Sequence, residues 1–177
     1  MAVQAFSEEE ITLYISPNIA DNDIYGFEDA GTGWNTNVVW PWDNVGLISF
    51  TNEKAATGEY SMRMEATSDA RCRAYSRKAG STFTLEAGKN YTIEYKVWID
   101  PSYTDASIVP ELIHNDTWAA TGFWTSLNGL PRSEWITINK ESVKTFTPPA
   151  TGEYFMSFKF QKIGVVYIDD IKIYEVD

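Results

Sequence analysis

Apolar and polar residues alternate with a period of two along most of this chain, and that alternation leaves few folds open. Between Tyr91 and Ile99, residues Tyr91, Ile93, Tyr95, Val97 and Ile99 share one face, and Thr92, Glu94, Lys96 and Trp98 share the other. Successive side chains of a strand point to opposite faces, so this run reads as a strand with one side buried. Similar runs occur at Tyr60–Ala66, Arg71–Arg77, Ile108–His114, Glu134–Ile138, Val143–Thr147, Glu153–Phe160 and Val165–Val176. Turn signals separate them: Thr57-Gly58, Ala87-Gly88-Lys89-Asn90, Asn128-Gly129, Pro148-Pro149 and Thr151-Gly152. Many short strands without intervening helices predict an all-β fold, an antiparallel two-sheet β-sandwich of jelly-roll type.

Two stretches depart from the pattern. Residues 1–17 form a short N-terminal arm ahead of a sandwich domain over residues 18–177. In the arm, Ser7-Glu8-Glu9-Glu10 before Ile11 has the form of a capping box, which suits a short helix, whereas its β-branched residues suit an edge strand or a loose arm. Residues Asn35 to Asn44 hold Trp40, Pro41 and Trp42, and the proline excludes a central strand, so a loop or edge is expected. The 177 residues suffice for one sizeable core, and no internal repeat or linker marks a second domain.

Charge narrows the partners. A formal net charge of −11 repels phosphate backbones and anionic lipid, so neither nucleic acid nor a membrane surface is expected as a partner. The single cysteine, Cys72, forms no internal disulfide and suits a buried position. Residues Met1 to Glu10 lack the basic and apolar regions of a signal peptide. The one histidine, His114, stands far in sequence from Cys72, no Gly-x-Ser-x-Gly is present, and no His/Cys cluster suits zinc. A non-catalytic protein is expected.

Four segments carry a family resemblance. They are Asn18 to Trp34 with Phe27-Glu28, Gly31, Gly33 and Trp34; Ala56 to Met64 with Gly58-Glu59-Tyr60-Ser61; Phe83 to Thr92 with Ala87-Gly88 and Tyr91; and the closing Tyr167-Ile168-Asp169-Asp170-Ile171. In this order they resemble the jelly-roll carbohydrate-binding modules attached to xylanases and glucanases. The resemblance implies a two-sheet sandwich and, in many members, a structural calcium tying the first strand to the last. On this chain Glu28 and Asp170 would supply its carboxylates, with backbone carbonyls completing the oxygen shell. A hard cation would offset the repulsion between two such carboxylates. Asn22-Asp23 departs from the family's Asn-Gly opening.

The resemblance also implies a sugar-binding concave sheet, where Trp and Tyr rings stack on the C–H faces of sugars. Seven Trp, ten Tyr and nine Phe supply candidates, although aromatics suit strands and binding faces alike. Trp98 lies on the polar face of its strand. Trp118 and Trp124 fall in a polar, Gly-containing region with His114, Asn115 and Asp116. Tyr75 shares an alternation face with Arg73 and Arg77, and Trp40 and Trp42 lie in the Pro-containing segment. Trp34 and Trp135 are assigned to the core or its open ends. Two settings follow. The chain is either a decoration or fibre protein displayed on an assembly such as a phage particle, with neighbouring subunits as partners, or a glycan-binding module from a secreted polysaccharide-degrading enzyme, hence extracellular.

Overall fold

The computed structural model describes residues 18–20, 22–36, 46–66, 71–78, 80–102, 107–139 and 144–176. The N-terminal arm and the segment bearing Trp40 and Trp42 lie outside the described residues. One helical turn, α1 (Asn22–Tyr25), precedes strands β1 (Gly46–Thr51), β2 (Ser61–Ala66), β3 (Arg71–Tyr75), β4 (Phe83–Leu85), β5 (Asn90–Ile99), β6 (Ser107–His114), β7 (Ala120–Gly122), β8 (Thr125–Ser126), β9 (Trp135–Ile138), β10 (Gly152–Gln161) and β11 (Gly164–Val176). They form two antiparallel sheets. One has the order β1-β2-β11-β5-β9, and the other β3-β10-β6-β7, with β4 added beside β10 and β8 beside β6. The all-β sandwich expected from the alternation is what the chain adopts.

The core between the sheets follows directly from the alternation. Strand β5 contributes Tyr91, Ile93, Tyr95, Val97 and Ile99, all buried. Facing them, β10 contributes Tyr154, Met156, Phe158 and Phe160, and β6 contributes Ile108 and Leu112. Cys72 is buried here as a small apolar group. The end of α1 and the segment after it add Tyr25, Phe27 and Trp34 to this core, with the Trp34 ring 5.6 Å from Tyr25 and 5.5 Å from Phe27. This tight return needs Gly31: it holds φ +74°, and a Cβ there would sit 2.1 Å from the Phe50 ring. The Asp29 carboxylate accepts the N–H groups of Gly31 and Gly33 and fixes the turn.

Two expectations need correction. The run Val143–Thr147 is no strand over its described part: Phe146 makes a single two-way bridge to Tyr91, at 2.7 and 2.8 Å. Pro148 and Pro149 follow at once and have no N–H to extend a ladder. The run Val165–Val176 is one strand, β11, but its alternation is interrupted. Val166 and Ile168 face the core, and so do Ile171 and Ile173. A β-bulge between Asp169 and Lys172, with Asp170 left-handed at φ 49°, reverses the parity.

Candidate functional site

The outer face of the β3-β10-β6 sheet departs from what a solvent-facing strand surface presents. Alternation turns Arg73 and Tyr75 outward on β3, Phe155, Ser157 and Lys159 on β10, and Val109, Glu111 and Ile113 on β6. The register sets Ser157 between Tyr75 and Glu111, and Phe155 beside Ile113. Tyr75, Ile113 and Phe155 form a second apolar cluster apart from the main core, with exposures of 3%, 3% and 0%.

Trp118 completes the cluster from the turn after β6. Its ring meets Phe155 and Tyr75 edge-on, at centroid distances of 5.5 and 6.3 Å, and it remains 43% exposed. The turn is built locally: His114 Nδ1 accepts the N–H groups of Asp116 and Thr117, and Trp118 donates its N–H to the His114 carbonyl while adopting φ 58°. Such a backbone costs about 1–3 kcal/mol in a non-glycine residue and persists where the surrounding structure over-determines it. Arg77 lies over the Trp118 ring at 4.3 Å, and its Nε and Nη2 donate to the Asn115 side-chain and backbone oxygens at 3.0 and 3.2 Å.

Beside the rings runs a charged row. The Glu111 carboxylate accepts from Ser157 Oγ at 3.1 Å and Lys159 Nζ at 3.2 Å, and Arg73 Nη2 lies 3.5 Å away. Arg73 also donates through Nη1 to the Tyr75 hydroxyl at 2.8 Å. These side chains are largely desolvated, and satisfied ion networks of this kind add little net stability over apolar packing. Their contribution is orientation: hydroxyl, guanidinium and carboxylate groups are fixed beside an aromatic floor.

The sequence candidates divide between two faces. Tyr75 and Trp118 belong to this cluster, and Trp124 lies in the β7–β8 connection, 64% exposed. Trp98 stands on the opposite side of the sandwich, on the outer face of the five-stranded sheet. There it opens a cross-strand row with Tyr167 and Arg63 on one side and Trp135 on the other. Trp98 packs edge-on against Tyr167 at 5.4 Å, and Lys54 Nζ sits 4.3 Å from its ring. Trp34 is core, as expected, whereas Trp135 joins this outer row. Trp40 and Trp42 fall outside the described residues. Phe155, Glu111 and Lys159 were not singled out from sequence, although the signal was there: a Phe on the polar parity of β10 is the same anomaly that marked Trp98 on β5.

Glu28 and Asp170 do line one cavity, of about 330 Å³, with Thr57, Gly58 and Lys172. Each already has partners. Glu28 accepts the N–H groups of Glu59 and Tyr60, at 2.9 Å in the shorter case, and Asp170 holds Lys96 Nζ at 2.6 Å and the Thr57 hydroxyl. Burial pushes the Asp170 carboxyl up, but Lys96 and Thr57 outweigh it and hold the group below the usual carboxylate range. Its neighbour Asp169 is pushed up to about 6 by burial, despite accepting the N–H groups of Ala56 and Asp170. Two carboxylates and a hydroxyl fall short of the six to eight oxygens calcium takes, so backbone carbonyls and water would have to complete a shell. No group of three or more His, Cys, Asp or Glu suited to a metal occurs among the described residues.

No family model matches the chain, and no curated protein matches it by sequence. Solved structures do. TmCBM61 in complex with β-1,4-galactotriose matches with a TM-score of 0.58 at 14% identity, covering 91% of this chain and 100% of that one. The CBM22-1 xylan-binding domain of Paenibacillus barcinonensis Xyn10C matches at 0.55 and 13%, covering 92% and 99%. The enzymatically active domain of bacteriophage CBA120 tailspike protein 4 matches at 0.56 and 12%, covering 90% of this chain but 21% of that one. The jelly-roll fold of carbohydrate-binding modules, which the four sequence segments resemble, is the fold of this chain.

Proposed function

We propose that the chain is a non-catalytic glycan-binding module whose binding surface is the outer face of the β3-β10-β6 sheet. The observation that carries this reading is the aromatic cluster of Tyr75, Phe155 and Trp118, set apart from the core and flanked by the Arg73–Glu111–Lys159 row. A half-exposed ring, Trp118, held by the buried Tyr75 and Phe155 beside fixed polar groups, suits recognition of a sugar ring, which has C–H faces and a hydroxyl rim. The likeness to modules that bind galactotriose and xylan supports the same reading.

Affinity electrophoresis against a panel of soluble polysaccharides tests it. Retardation on at least one polymer, reduced at least about tenfold by Trp118→Ala, is the expected result; tenfold corresponds to about 1.4 kcal/mol. Trp98→Ala, on the opposite face, should leave it unchanged. Migration unaltered by every polymer would rule the reading out.

For setting, the tailspike likeness favours display on a larger assembly such as a phage particle, where neighbouring subunits would be protein partners. Labelling of intact particles with an antibody to this chain, seen by electron microscopy, is the check, and unlabelled particles would favour the module of a secreted enzyme. A structural calcium held by Glu28 and Asp170 belongs to the same proposal. It would displace Lys96 from Asp170, and it predicts a melting temperature higher in calcium than in chelator. Equal melting in the two would assign charge neutralisation to Lys96.

A further inference from the structure

The proposed binding face carries a sign of charge opposite to that of the chain. Acids outnumber Lys and Arg by 25 to 14 overall. On and beside this face the described charged side chains include Arg73, Arg77, Lys78 and Lys159 against Glu111, Asp116 and Glu153. Glu111 is shared by two of the cations, Arg73 and Lys159. The other two, Arg77 and Lys78, line a cavity of about 250 Å³ with Thr82, Asn115 and Glu153. Arg77 joins this cavity to the aromatic cluster, since its guanidinium also covers Trp118.

Arg77 is held ready for a ligand. The Trp118 ring lies 4.3 Å from its guanidinium carbon, and Asn115 takes two of its five N–H donors. An oriented guanidinium recognises a planar anion through paired hydrogen bonds, and less freedom is lost per bond than with a mobile side chain. A cavity of this size is smaller than a typical small-molecule site, so it suits one substituent of a longer chain bound across the rings. Neutral hydroxyl groups would gain little from two cations, whereas a carboxylate would gain charge-assisted bonds.

We infer that the glycan taken by this face is anionic, with the carboxylate of a uronic acid seated at Arg77 and Lys78 while neighbouring sugars stack on Trp118. This rests on the glycan-binding reading above and narrows it to a substrate class. In a chain of net charge −11 the repulsion of a polyanion is long-ranged and screened by salt, while the seated carboxylate is held at contact distance.

The test compares polymers that differ only in charge. Polygalacturonate and polyglucuronate are each measured beside their carboxyl-reduced forms, by affinity electrophoresis and titration calorimetry of the full chain. At least one uronate should bind about tenfold or more tightly than its reduced partner. Lys78→Gln should narrow that ratio severalfold, and Arg77→Gln should bring the ratio towards one. Equal binding of each pair, or tighter binding of the reduced forms, would overturn the inference and leave glycan binding standing. Binding of none of the four, together with no retardation on the neutral panel, would overturn both.

Discussion

At the residue scale, Glu111 carries the most informative liability of the proposed site. It is the one carboxylate bonded to Ser157 and shared by Lys159 and Arg73, on a sheet face where all are largely desolvated. Removing one member leaves the others buried with unbalanced charge, at a cost of about 3–5 kcal/mol where desolvation is strong. Glu111→Gln should therefore lower stability in urea by a large part of that amount. Replacing Arg73, Glu111 and Lys159 together by Met, Leu and Met should recover most of the loss in stability, while glycan retardation should be lost. A triple variant as unstable as Glu111→Gln would show that the row is structural.

The same scale shows what a sequence does and does not disclose. Trp98 and Tyr75 were both legible as aromatics on a polar parity, because alternation alone fixes which side of its sheet a residue faces. Nothing in alternation says which of two sheets a strand joins. Strands β3 and β5 went to different sheets, and with them their aromatics went to opposite surfaces. Arg77 over Trp118 was out of reach for a related reason. The two residues are brought together by the turn after β6, whose left-handed residue is a tryptophan and carries no glycine to announce it.

At the scale of elements, β11 shows how one residue decides what a strand presents. Asp170 and Ile171 together oppose Tyr95 of β5, so one residue is supernumerary in the ladder. That extra residue aims the Asp170 carboxylate at Lys96 and Thr57. Deleting Asp170 would restore an uninterrupted alternation with Val166, Ile168, Ile171 and Ile173 all inward. The deletion variant should keep its sheet circular dichroism and cooperative melting, with a lower melting temperature from the lost tie to Lys96 and Thr57. Deleting Tyr167 instead would bring the inward faces of the two halves of the strand into conflict, and should abolish cooperative melting. Equal tolerance of both deletions would contradict this reading of the bulge. The parity change is written in the spacing of Val166, Ile168, Ile171 and Ile173, but the run reads as one regular alternation until the bulge is seen. The strand β1 was not legible, since Leu47 and Ser49 face solvent and Ile48 and Phe50 are only half-buried.

At the scale of the whole molecule, the sandwich has two outer faces, and the proposed binding surface is one of them. The five-stranded face carries Trp98, Trp135 and Tyr167, with Lys54 over the Trp98 ring and Arg63 paired with Glu65 at 2.7 Å. The six-stranded face carries the separate apolar cluster, the half-exposed Trp118 and the reversed charge. The most direct measurement is a two-dimensional amide and indole NMR titration of the labelled chain with a soluble oligosaccharide that it retains. Shifts should concentrate on Arg73 to Lys78, Glu111 to Trp118, Glu153 to Lys159 and the Trp118 indole, with the Trp98 and Trp135 indoles unmoved. Shifts centred on Trp98 and Trp135, with the Trp118 indole unmoved, would contradict the assignment.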